Sequence, residues 1–138
     1  MLALLLFAAS LELVSPQALH WYDELLAGSG YGQREHEVAA FLIRERDGSL
    51  TLEPWPGGGF RHATFRGAIP ARTIAILHTH PADSPGPSAR DHREAVRLGL
   101  PVVVISPAGI VAASGGKTRV LVSGTSRVPS ARRISLRR

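Results

Sequence analysis

The sequence contains no cysteine. Disulfides and thiolate metal sites are therefore excluded, and any metal must be held by His, Asp or Glu. Aromatic residues make up only 6% of the chain, so aliphatic side chains must supply most of the core. No apolar run reaches the roughly 20 residues that a membrane-spanning helix needs. The apolar stretch Met1 to Ala9 has the character of a secretion-signal core but lacks a basic segment ahead of it. Residues 1–10 are read as an extra strand or a mis-assigned start, with a cleavable signal as the alternative. The absence of disulfides fits a cytoplasmic location; export is expected only if that segment is a signal.

Acidic residues are also few, 11 against 16 Lys and Arg, which gives a net charge of +5. The excess is local. Arg127, Arg132, Arg133, Arg137 and Arg138 sit in a stretch with no acid, and residues 1–126 hold 11 bases against 11 acids. The segment 124–138 is therefore expected to be a solvated basic tail. It is the only feature that favours a nucleic-acid partner.

What remains is ordinary for a globular protein. The chain has 138 residues, 44% hydrophobic and 20% charged, enough for one domain with its own core. Leu11 to Val14 is expected to form a short strand. Ser15-Pro16 reads as an N-cap followed by proline at the first helical position, and Leu19, Tyr22, Leu25 and Leu26 recur at helical spacing up to Gly28. Val38 to Ile43 suits a buried strand, and Asp47-Gly48 predicts a hairpin turn into Leu50 to Leu52. Strands are also expected at Phe60 to Phe65, Thr73 to His80, Val102 to Ile105, Ile110 to Ala112 and Arg119 to Val122. Pro81 to Pro87 must be a loop, followed by a helix over Ser88 to Leu98 that Gly99 ends. The sum is α+β, one curved mixed sheet flanked by two helices in a single domain over residues 11–123.

The chemistry concentrates between Leu77 and Asp91. His78 and His80 lie two apart on a strand, so both imidazoles point to one face. Asp91 follows in the first turn of the next helix. Two His and one carboxylate leave a fourth tetrahedral position open for water, as a catalytic zinc site requires. Taken singly, each feature has a plainer reading: a His pair as surface decoration, and Ser88 with Asp91 as a capping box that merely starts a helix.

Together they form a long constellation, His78-Thr79-His80, seven residues, Ser88, two residues, Asp91. It resembles the signature of the JAMM (MPN+, JAB domain) zinc metallopeptidases, with every position at the family spacing. The resemblance implies an MPN-like fold, Zn2+ held by His78, His80 and Asp91, and Ser88 stabilising an oxyanion. It also implies an upstream glutamate as general base. Glu37 is the best match, with Ala40 standing where the family commonly has glycine. Glu35 is the rival, two residues away on the same strand face. The implied activity is hydrolysis of amide bonds by a peptidase or isopeptidase. Its substrate would be a protein or peptide, such as the tail of a ubiquitin-like or sulfur-carrier protein, with no membrane partner. The loops at 54–59 and 81–87 are expected to wall the cleft. The rivals are a non-catalytic scaffold of the same fold and a nucleic-acid-associated protein that uses the basic tail.

His20, His36, His62 and His92 show no ligand spacing with one another. Trp21 and Trp55 read as packing residues. Gly57 to Gly59 lacks the lysine and the strand–turn–helix setting of a phosphate loop.

Overall fold

The computed structural model describes residues 11–32, 37–55 and 67–124. The apolar segment 1–10, Glu35, His36, the glycines 57–59, the expected strand 60–65 with His62, and the arginine tail lie outside the described residues. Helix α1 spans Pro16–Gly28. The strands are β1, Ala39–Arg44; β2, Leu50–Pro54; β3, Thr73–Thr79; β4, Val102–Ser106; β5, Gly109–Ser114; and β6, Lys117–Ser123. Helix α2, Ala89–Leu98, lies between β3 and β4. One sheet carries all six strands in the order β2-β1-β3-β4-β5-β6. Every neighbouring pair is antiparallel except β3–β4, which is parallel and joined through α2. The architecture is the expected α+β mixed sheet with two flanking helices.

Local chemistry explains the elements. Ser15 caps α1 through its hydroxyl, which accepts from the Ala18 N–H, and Pro16 occupies a first-turn position where no N–H is needed. At the β1–β2 hairpin the Asp47 carboxylate accepts from the Ser49 N–H and hydroxyl. Gly48 takes the positive φ of 86° that this turn demands. All five residues of β4 are buried, as expected of a strand covered on both faces.

The sheet separates two apolar layers. On one face Tyr22, Leu25 and Leu26 of α1 pack with Leu42, Leu77 and Ile105. On the other, Ala95 of α2 packs with Phe41, Ile76 and Val102. Trp21 donates from its indole to the Leu50 carbonyl, and the Trp55 ring rests 5.5 Å from that of Phe41. Both tryptophans are packing residues, as read from the sequence. Among the described residues, no helix is long and apolar enough to cross a membrane.

One expected element is absent. Leu11 to Val14 is not a strand: Leu11 and Glu12 are helical, and Leu13 and Val14 form a turn. The Val14 N–H bonds back to the Leu11 carbonyl and the Ser15 N–H to that of Glu12. The buried Tyr22 hydroxyl donates to the Leu13 carbonyl at 2.8 Å. A four-residue stretch with Glu12 among three apolar residues fits either state, and here the tyrosine claims the carbonyl that a ladder would have needed. Tyr22→Phe should therefore cost about 1–3 kcal/mol, the penalty for a buried carbonyl that loses its donor. Urea unfolding should show a lower midpoint with an unchanged slope.

Candidate metal centre

The site assembles at one end of the sheet's central strands. His78 is the penultimate residue of β3, and His80 follows its last residue. The two rings stand 4.6 Å apart, edge to face. Opposite His78 in the antiparallel register is Ala39, so Glu37 enters two residues upstream, at the same end. From above the strand end, α2 contributes Asp91 in its first turn. His80, Asp91 and Glu37 are buried, and the His78 side chain is only 13% exposed.

The geometry brings the expected residues together. Nε2 of His78 lies 3.0 Å from Oδ1 of Asp91, and Nε2 of His80 lies 3.7 Å from Oδ2. Glu37 Oε2 stands 3.9 Å from Nδ1 of His78. One donor atom each from Glu37, His78 and His80 fits within a mutual 4.8 Å, so this group can hold a metal ion. Ser88 is the N-cap of α2, and its capping box with Asp91 is complete. The Ser88 N–H and hydroxyl donate to Asp91 Oδ2 at 2.6 and 2.8 Å, and the Asp91 N–H donates to the Ser88 hydroxyl oxygen. The plainer reading of this Ser–Asp pair is thus correct in itself, and compatible with the other: Oδ2 serves the helix and lies nearer His80, while Oδ1 faces His78.

Two details were invisible in the sequence. Nδ1 of His80 lies 2.8 Å from the Ser84 carbonyl oxygen. A carbonyl can only accept, so Nδ1 carries a proton, and Nε2 is the ring nitrogen directed toward Asp91. The proline-rich loop is therefore part of the site. Thr79, between the two histidines, is buried and its hydroxyl accepts from the Val38 N–H at 2.9 Å. A threonine inside an apolar strand was the only available signal for that bond. His92 points away toward β6, with Nε2 3.1 Å from the Thr118 hydroxyl, so it takes no part.

The donor set fits a cation on electrostatic grounds. Nε2 of His78 is buried and has no hydrogen-bond partner among the described residues. The 3.0 Å approach of Asp91 lacks hydrogen-bond direction. Burial opposes a charge on His78, yet the Asp91 and Glu37 carboxylates outweigh it and raise its pKa to about 9. Burial also works against the Asp91 carboxylate, but His78 and the Ser88 donors overcome it and hold its pKa far below the ordinary range. Without metal, a proton on His78 balances the buried anions. Metal must displace that proton.

A sequence model of the prokaryotic homologs of the JAB domain matches residues 19–121. The chain belongs to this family. The match extends from α1 into β6 and includes every residue of the site. No curated protein matches the chain.

The charge balance of this JAB domain gives a stability prediction for the metal-free state. The pKa of His78 is raised in the folded chain, so its contribution is fully present below the ordinary 6.5 and is lost as pH rises through about 9. With chelator present, the thermal midpoint should fall between about pH 6 and about pH 9.5. His78→Gln should flatten this limb; parallel curves for the two chains would show that no His78–carboxylate pair forms.

Proposed function

We propose that this JAB domain is a zinc-dependent peptidase or isopeptidase. The observation that supports it most is the meeting of His78, His80, Asp91 and Glu37 at one strand end, with Nε2 of both imidazoles turned toward the Asp91 carboxylate. His78, His80 and Asp91 would hold the metal, because Asp91 contacts Nε2 of both rings. Glu37 stands 3.9 Å from Nδ1 of His78 and groups with both imidazoles closely enough to meet a metal ion, so its assignment as the base rests on the family motif and not on distance. Bound zinc supplies a Lewis acid that makes water nucleophilic near neutral pH.

The protein's own groups carry the rest. Glu37 accepts the proton of the attacking water and returns it to the leaving amine. Ser88 donates its hydroxyl to the oxyanion that forms at the substrate carbonyl, for which it must turn from Asp91. Ser88 is exposed at the mouth of the site, beside the exposed loop residues 82–86, so a narrow tail can reach it. A flexible C-terminal tail, as on a ubiquitin-like or sulfur-carrier protein, is the substrate class proposed. A scaffold without activity is the alternative within the same family, and the presence of every acid, imidazole and hydroxyl that hydrolysis needs speaks for the enzyme.

The purified chain should contain one zinc per molecule by elemental analysis, and His80→Ala and Asp91→Ala should both lose it. Glu37→Gln should keep zinc and lose nearly all hydrolysis of tail-like peptide fusions. Loss of zinc in Glu37→Gln would make Glu37 a ligand instead, and zinc without hydrolysis in the wild-type chain would return the scaffold reading. Ser88→Ala should keep zinc, lose about 10²–10³-fold in turnover and lose about 1 kcal/mol of stability through the cap.

A further inference from the structure

The pairing of β1 with β3 changes character where it reaches the site. Ala39 pairs with His78, so Val38 stands opposite Thr79. A hydrogen-bonded antiparallel pair exchanges two backbone bonds. One is present: the Thr79 N–H donates to the Val38 carbonyl at 2.9 Å. The other is replaced, since the Val38 N–H donates at 2.9 Å to the Thr79 hydroxyl. Thr79 is 1% exposed, so water cannot stand in as the acceptor.

The Val38 N–H belongs to the peptide unit that follows Glu37. Fixing that unit fixes the ψ angle of Glu37, and with it the direction in which the Glu37 side chain leaves the backbone. We infer that Thr79 is a positioning residue: its hydroxyl clamps the Glu37–Val38 peptide and aims the Glu37 carboxylate at the metal centre. The inference rests on the proposed role of Glu37 as the base. Thr79 itself touches neither metal nor substrate. The same residue joins the two histidines, so one residue spaces the imidazoles along the strand and ties the base to them across the sheet.

The test compares Thr79→Val, which keeps the shape and removes the acceptor, with Thr79→Ser, which keeps the acceptor. In Thr79→Val, zinc content should stay at the wild-type value. Amide exchange at Val38 should accelerate at least tenfold, and kcat should fall about tenfold with KM unchanged. Thr79→Ser should restore both. In a Glu37→Gln background, Thr79→Val should cause no further loss of kcat, because the base it aims is gone. Unchanged exchange and kcat in Thr79→Val would overturn the inference, as would a further loss in the double variant or a loss of zinc. If valine prevents folding, Thr79→Ala gives the same readings with space to relax. Should the wild-type chain hydrolyse nothing, the proposed function falls by itself. The Val38 exchange rate then decides the clamp, and unchanged protection in Thr79→Val overturns it.

Discussion

Asp91 must satisfy two structures with one carboxylate. Its Oδ2 accepts from the Ser88 N–H and hydroxyl and so closes the first turn of α2. Its Oδ1 faces Nε2 of His78. The helix start and the imidazole cluster are therefore held in one geometry, and neither can shift without the other. Backbone N–H groups at a helix start favour an anion there, and the positive charge on the facing imidazole favours it further. The consequence is a buried acid that stays ionised and draws a cation to the strand end. The proton on His78 is that cation, and a metal held here would have to take its place.

The β3–α2–β4 unit is what makes the arrangement economical in chain length. Both histidines close the strand, a seven-residue loop turns the chain, and the helix opens with the partner acid. The loop also contributes directly, since its Ser84 carbonyl fixes the tautomer of His80. Its prolines restrict the backbone that presents this carbonyl. A loop of this kind is an outer support of the candidate metal site, fixing the orientation of the His80 ring.

Much of the fold was legible in the sequence. The Ser15-Pro16 start, the Asp47-Gly48 turn and the Gly99 stop act through local backbone chemistry, and the structure has all three. The apolar run of β1 and the alternation around Ile76 likewise give strands at the expected places. Leu11 to Val14 misled because three apolar residues around Glu12 are too few to carry a period. Its conformation is set by a tyrosine hydroxyl nine residues away, which no local pattern encodes. The spacing of His78, Thr79, His80, Ser88 and Asp91 was readable because strand and helix periodicities fix which side chains share a face.

The sequence by itself determined the donor types, the absence of thiolate chemistry and the order strand, loop, helix that carries His78, His80 and Asp91. These follow from composition and short-range periodicity. Only the tertiary structure decided which ring nitrogen faces which carboxylate, that Asp91 both caps and faces the histidines, and that Glu37 stands at the same strand end. Those depend on the register between β1 and β3, strands separated by about thirty residues of chain. Register is set by which faces are buried and by cross-strand bonds such as that from Val38 to Thr79, and these exist only once the sheet has formed.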